Sequence, residues 1–310
     1  MIPKPVILDV DPGHDDAVAL MMACGTLELD LLAVTTVAGN VSLEKTTHNA
    51  LRVLSLIDRT DIPVATGAAR PLRREPYTAE YIHGESGLDG PVELPPPTFE
   101  PDERGAVTLI ADTLRESVES VTLIPLGPLT NIAIFLREHP DLKNRIAHIS
   151  LMGGSMGLGN ITPAAEFNIY VDPEAAREVF ESGVPITMCG LNVTHEASAG
   201  PKERERLRSI GETGPIVAGF LDFFAATYEK VFGFDAPPLH DPVAVAAVLD
   251  PTVLTTRRMR VDVECEGPLT RGETVCDFHG VTGKPPNTDV GIELDRERFF
   301  EILYDALGRL

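Results

Sequence analysis

Two rhythms of apolar and polar positions alternate along this chain. Val6–Val10 is apolar except for Asp9 and reads as a buried strand. Asp15–Gly25 follows, with Val18, Met21, Met22 and Gly25 at i, i+3, i+4 and i+7, the spacing of a helix. Leu31–Ala38 is a β-branched run that breaks at Gly39-Asn40. Ser42 then opens a helix reaching about Asp58, with Glu44 and Lys45 in its first turn. The pattern repeats as a strand at Ile62–Thr66, a helix over 105–117, a strand at Val121–Leu126 and a helix from Leu129. A strand at Ile146–Met152, a helix over 173–183 and a strand at Pro185–Cys189 complete it. Such alternation predicts an α/β fold: an open, mainly parallel, Rossmann-like sheet with helices on both faces. Its site is expected at the C-terminal ends of the strands.

Three stretches depart from the rhythm. Residues 67–104 carry prolines from Pro71 to Pro101 and the run His83-Gly84-Glu85-Ser86-Gly87-Leu88-Asp89-Gly90. A loop of this length is usually a lid, a binding loop or disordered, and Tyr77, Tyr81 and His83 point to a binding loop. Gly153-Gly154-Ser155-Met156-Gly157-Leu158-Gly159-Asn160 lacks the G-x-G-x-x-G order, and no helix is expected before about Pro173. A dinucleotide fingerprint is therefore a weak reading. Beyond 201 helices are expected over 201–210, 214–232 and 241–249, then strand-like runs near 259–263, 274–278 and 288–292, then a helix from Asp295. No low-complexity linker or internal repeat divides residues 1–310, which read as one domain.

Composition narrows the partners. Of 310 residues, 43% are hydrophobic and 24% charged, which suits a soluble protein with a sizeable core. Twenty-six basic against 47 acidic residues give a net charge of −21, which disfavours a nucleic-acid backbone or an anionic membrane. A neutral small molecule or a cation fits better. Cys24, Cys189, Cys265 and Cys276 show no C-x-x-C pairing and lie in or beside apolar runs, as reduced thiols do. The strand pattern begins by Val6, which leaves no room for a signal peptide, and no apolar run is long enough for a membrane span. A cytoplasmic location is the expectation.

The sharpest chemical signal is Asp9, Asp11, Asp15 and Asp16, gathered where the first strand yields to the first helix. Two carboxylates about 4 Å apart repel by roughly 4 kcal/mol at an effective dielectric of about 20. They need a proton, a basic partner or a cation, and no Lys or Arg lies between Lys4 and Lys45. A hard cation is the simplest answer. Ligands in open α/β sheets bind beyond the carboxyl ends of the strands. Here those ends are Asp9/Asp11, Gly39-Asn40, Leu126-Gly127-Pro128 and Gly153-Gly154. Two further polar clusters, Asn160–Asn168 with Glu166 and His240-Asp241, lie in loops able to face the same crevice. Alone, Asp241 before Pro242 reads as a helix cap and His240 as a surface histidine; the conjunction carries the weight. Oxygen donors without cysteine favour Ca²⁺ or Mg²⁺ over zinc, and the added Asn and Glu suit a polyhydroxylated ligand.

At this point the chain resembles the inosine–uridine-preferring nucleoside hydrolases (N-ribohydrolases). Asp9-Val10-Asp11-Pro12-Gly13-His14-Asp15-Asp16-Ala17 matches the family's D-x-D-P-G-x-D-D-A. Ala38-Gly39-Asn40, His83-Gly84, Leu126-Gly127-Pro128-Leu129-Thr130-Asn131, Met152-Gly153-Gly154, Asn160–Asn168 and His240-Asp241-Pro242 follow in the family's order. The resemblance implies hydrolysis of ribonucleosides to ribose and free base with a bound Ca²⁺ held by Asp11, Asp16, the Leu126 carbonyl and Asp241. The ribose 2′- and 3′-hydroxyls and one water would fill the remaining positions. It makes Asp11 the general base for that water and His240 the acid, or hydrogen-bond donor, toward the leaving base, with His83 near it. Asp15, Asn40, Asn160, Glu166 and Asn168 would hold the ribose. Asp9 is expected to position the turn without binding metal. It also implies a homodimer or homotetramer.

The chemistry is consistent with these roles. Ribosidic C–N cleavage develops positive charge on the sugar and negative charge on the departing base, and related glycoside hydrolysis pairs a water-activating group with a leaving-group acid. Around the base, Tyr228, Phe232 and His83 are candidate contacts with His240, whereas Phe223 and Phe224 read as core. Purine or pyrimidine preference is not legible, beyond the pyrimidine-leaning or broad choice that His240 suggests by resemblance. Two alternatives stand. A calcium-dependent nucleoside- or ribose-binding protein would share the site without turnover. A Mg²⁺-dependent phosphohydrolase using Asp9 or Asp11 as nucleophile would normally carry a downstream Gly-Asp, and the chain has none.

Overall fold

The computed structural model describes residues 2–310. Nine strands form one sheet: β1 (Lys4–Val10), β2 (Leu29–Thr36), β3 (Val64–Thr66), β4 (Val121–Pro125), β5 (Ile146–Met152), β6 (Ile186–Cys189), β7 (Leu254–Val263), β8 (Thr274–Asp277) and β9 (Thr288–Leu294). Their order is β3-β2-β1-β4-β5-β6-β9-β7-β8. Every pairing from β3 across to β9 is parallel, while β7 runs antiparallel to β9 and β8. The sheet is thus open and mainly parallel, as the alternation predicts.

Strand alternation divides the core in two. Val6, Leu8 and Val10 join one apolar cluster, with the helices His14–Cys24, Leu43–Leu56, Gly214–Phe232, His240–Leu249 and Arg296–Leu307. Ile7 points the other way, into a cluster with the helices Ala106–Glu116, Thr130–Glu138 and Pro173–Phe180. Both faces of β1 are therefore covered, which is why the strand reads as a near-continuous apolar run. The first helix is buried from His14 to Ala23, because it is packed by the helices Leu43–Leu56, His240–Leu249 and Arg296–Leu307.

Chain order positions the site. After β1 the chain winds outward through β2 and β3, then returns to lay β4 against the other side of β1. Neighbouring connections leave in opposite directions there, and a crevice opens beyond the carboxyl ends of β1 and β4. Asp9 is in register with Thr35 on one side and Pro125 on the other, so Asp11 and Leu126 emerge into that crevice together.

Several expectations need correction. A short helix, Phe167–Val171, precedes Pro173, nucleated by Glu166, whose carboxylate accepts from the backbone N–H groups of Asn168 and Ile169. Another, Glu80–His83, sits within the long loop. β7 begins at Leu254, five residues earlier than its apolar alternation suggests, because the exposed Thr255–Arg258 segment is held by pairing with β9. Ser42 is the N-cap residue, but its side chain makes no capping hydrogen bond. Asp241 is no cap, since the helix already starts at His240. The four cysteines are free, as expected. No helix among the described residues is long and apolar enough to cross a membrane.

Candidate active site

Asp16 builds the first turn of the site. Its carboxylate reaches back to accept the N–H groups of Asp11 and Gly13, both at 3.1 Å, so the strand-to-helix turn is closed by a side chain three residues inside the helix. Asn40, in the loop four residues beyond β2, ties the next strand in. Its N–H donates to Asp11 Oδ2 at 2.7 Å, and its amide donates to the Asp11 carbonyl at 3.1 Å and to Asp16 Oδ2 at 3.2 Å. Asp9, on the Ile7 side of β1, accepts from Thr35 Oγ1 at 2.5 Å and Asn131 Nδ2 at 2.7 Å. Those bonds tie β1 to β2 and to the start of the helix Thr130–Glu138.

Two glycines make room for Asp11. A Cβ at Gly39 would stand 2.1 Å from Asp11 Oδ2, and one at Gly127 would stand 2.5 Å from Oδ1. Gly39→Ala is expected to push the carboxylate aside at a strain of about 1–3 kcal/mol, lowering kcat at least about tenfold, the scale of about 1.4 kcal/mol. Unchanged steady-state kinetics in that variant would show that the close approach has no functional weight.

Asp15, Asp16 and Asp241 each present a carboxylate oxygen, all within 4.8 Å of one another, and all three residues are buried. Asp11 lies outside this trio but close enough that Asp16, Asp15 and Asp9 all act on its charge. Desolvation, followed by the repulsion of Asp16, holds Asp11 well above the usual carboxylate range. Burial likewise raises Asp15 to about 7 and Asp16 to about 6, with backbone N–H groups offsetting part of each shift. Asp241 is raised well above its ordinary value by burial and then by Asp15, Asp16 and Asp11. Asp9 is raised to about 7, chiefly by burial. Among the described residues, no Lys or Arg lines the pocket beside them. The donor set is hard oxygen, and its charge is uncompensated by protein cations, so these residues fit a hard divalent ion.

The pocket in front of the carboxylates gathers ten of the sequence-predicted residues: Asp15, Asn40, His83, Leu126, Asn160, Glu166, Asn168, Tyr228, His240 and Asp241. Asp11 and Asp16 stand behind its wall, bonded to Asn40. The Leu126 carbonyl accepts from Asn168 Nδ2 at 2.6 Å, which brings β4 and the 160–168 loop together. Glu166 accepts from Gly154 N at 2.9 Å, and burial raises its pKa to about 7. Asn160 Oδ1 accepts the Phe167 N–H at 2.9 Å.

An aromatic wall closes the other side. Tyr228 and His240 are joined Oη to Nε2 at 2.9 Å, and Thr194 Oγ1 meets His240 Nδ1 at 2.7 Å. Burial holds both His240 and His83 well below the ordinary imidazole value, so both rings are neutral at physiological pH. Phe224, read as core, is both core and wall: it is 1% exposed, lines the pocket and stacks on His83. Phe232 also lines the pocket, while the half-buried Phe223 stacks on His14 behind it. Sequence reasoning missed His14, which stacks on His83 at a centroid distance of 5.5 Å and meets it Nδ1 to Nδ1 at 3.3 Å. It also missed Thr194, which ends the short helix Leu191–Thr194, outside every motif that the sequence marks. Tyr77 leans on Phe167 and Tyr170, and Tyr81 lines the pocket while 48% exposed, so the long loop does reach the site.

Comparison with known proteins agrees with this arrangement. The family described as inosine-uridine preferring nucleoside hydrolase matches residues 6–301. The pyrimidine-specific ribonucleoside hydrolase RihA of Escherichia coli is 52% identical over 305 residues, 98% of each chain. Among solved structures, a purine-preferring ribonucleoside hydrolase from Gardnerella vaginalis superposes with a TM-score of 0.91 at 34% identity, covering 98% of both chains. A plant nucleoside hydrolase does so with the same score and identity over 99% of both. With a family match over nearly the whole chain, a relative 52% identical to it and solved hydrolases of the same fold, this chain belongs to the inosine-uridine preferring nucleoside hydrolase family.

Proposed function

We propose that this protein hydrolyses the N-glycosidic bond of pyrimidine ribonucleosides, with a calcium ion held by Asp11, Asp16, Asp241 and the Leu126 carbonyl. The observation that carries the reading is the buried carboxylate group without a basic partner, facing a pocket whose far wall is aromatic. When bound, such an ion supplies positive charge that acidifies a nearby water and orients the sugar diol. Asp15 lies within the same acidic trio and is assigned to the ribose hydroxyls, or to the ion as a further donor.

Asp11 is the base. It is held by Asn40 and wedged between Gly39 and Gly127, so its lone pairs keep one direction while it takes the proton of the attacking water. Asn40, Asn160, Glu166 and Asn168 surround the sugar with groups able to donate and accept. Phe224, Tyr228 and Phe232 offer flat apolar surface to the base and exclude water from the breaking bond. His240 assists departure of the base with Tyr228, and His83 stands beside them. Pyrimidine preference is carried over from the substrate named for the relative 52% identical to this chain. A cytoplasmic homo-oligomer remains the accompanying expectation.

Sugar release from uridine, cytidine, inosine and adenosine, before and after exhaustive chelation, tests the whole reading. Uridine and cytidine are expected to exceed the purine nucleosides by at least about tenfold in kcat/KM, a difference of about 1.4 kcal/mol. Activity should vanish on chelation and return with Ca²⁺. Saturable nucleoside binding without ribose release would instead favour a binding protein.

A further inference from the structure

The three groups Thr194, His240 and Tyr228 form a chain whose hydrogen-bond direction can be worked out. Thr194 is fully buried, and among the described residues its hydroxyl has one partner, His240 Nδ1 at 2.7 Å. It does not bond back to the carbonyl of the preceding helical turn, the usual outlet for a helical threonine. Its hydroxyl proton therefore has one acceptor to go to. If Nδ1 carried a proton instead, the Thr194 O–H would be left buried without an acceptor, a penalty of one unmade hydrogen bond. With Nδ1 accepting, the ring's one N–H must be on Nε2. Nε2 then donates to Tyr228 Oη at 2.9 Å. Tyr228 Oη has no second protein partner among the described residues, and its ring lines the pocket. The hydroxyl, already an acceptor, is left with its own proton directed at whatever occupies that space.

We infer that Thr194 is a positioning residue that sets the His240 tautomer, so that Tyr228 presents a hydrogen-bond donor to the departing base. This rests on the hydrolase reading proposed above. No proton need leave the chain of groups: the Tyr228 O–H stabilises negative charge as it gathers on the base, and the order of the three groups keeps that donor from turning inward. Without the threonine hydroxyl, Nε2 is free to accept from Tyr228, and the pocket loses its donor.

Thr194→Val and Thr194→Ser separate this from a packing role. On uridine, Thr194→Val is expected to lower kcat about 10- to 100-fold, reaching the low end of the roughly 10²–10⁴-fold range of leaving-group assistance, with KM changed less than about threefold. On 4-nitrophenyl β-D-ribofuranoside, whose leaving group departs as a stable anion, the same variant should stay within about threefold of the wild type in kcat. Thr194→Ser, which retains the hydroxyl, should restore uridine turnover to within about threefold. An equal loss on both substrates, no loss on uridine, or failure of serine to rescue overturns the inference. Histidine ring ¹⁵N NMR on the wild-type protein gives a second measurement that needs no variant. A protonated Nε2 and bare Nδ1 at His240 support the assignment, and the reverse tautomer overturns it. Should the wild type release no ribose from any nucleoside, the hydrolase reading fails while the NMR result still decides the direction of the chain.

Discussion

Asp11→Asn is expected to lower kcat on a pyrimidine ribonucleoside by about 10⁴-fold or more, the upper range for one acid–base group, while the metal-free protein stays folded. Asparagine keeps the shape of the side chain, so the space between Gly39 and Gly127 remains filled and one oxygen can still accept the Asn40 N–H. What disappears is the basic lone pair and one anionic donor for the ion. Loss of charge should not harm the resting fold. Asp16, Asp15 and Asp9 all oppose ionisation of Asp11 in its buried position, so a neutral amide removes repulsion. The melting temperature of the chelated variant near pH 7.5 should therefore equal or exceed that of chelated wild type, while its calcium affinity falls. Kinetics, calorimetric calcium titration and thermal melts measure the three effects. A variant that keeps calcium affinity and loses less than about tenfold in kcat would remove Asp11 from both roles.

Chelation should make the protein more sensitive to rising pH. Asp9, Asp15 and Asp16 have folded-state values of about 7, 7 and 6 against an ordinary 3.8, so the native protein holds protons that the unfolded chain has released. Stability from that source is present at low pH and is lost as pH rises through those values. The buried neutral histidines oppose it. His14, lowered to about 4, joins His83 and His240 in favouring the native state as pH rises toward 6.5. At about pH 6.5 the unfolded chain's histidines are half titrated, and above it their opposing contribution fades while the carboxylate slope prevails. The metal-free melting temperature is expected to fall between about pH 6.5 and 8. Calcium at about a thousandfold over its Kd would add roughly 4 kcal/mol, a rise on the order of 5–10 °C for a chain of this size, and would flatten that slope. A metal-free melt independent of pH across this window, or no shift on adding calcium, counts against the carboxylate group as an ion site.

The parts legible in sequence share a physical cause. β1 is covered on both faces and nearly all apolar, so its run stands out in a one-dimensional pattern. Asp9 to Asp16 is legible because so many like charges within one turn demand an explanation that a generic acidic surface does not supply. Phe167–Val171 is hidden because a single turn has no periodicity to detect; it depends on Glu166 reaching forward from an irregular loop. β7 is hidden at its start because Thr255–Arg258 faces water, and pairing with β9 supplies what its composition does not. His14 sat in plain view at the variable position of the motif. Its stacking on His83 joins residues that only the folded long loop brings together. Thr194 is harder still, since its meaning depends on a single hydrogen bond to a helix that begins far along the chain.

Asp15 and Asp16 open the first helix, whereas Asp241 enters with the first turn of the helix His240–Leu249, and the two helices pack side by side. A nascent polypeptide therefore has no complete chelating group until most of its length has been synthesised and docked. An ion seated there would act late, slowing escape from the native basin and leaving the early steps of refolding untouched. Kinetic durability and occupancy of the site would then rise and fall together.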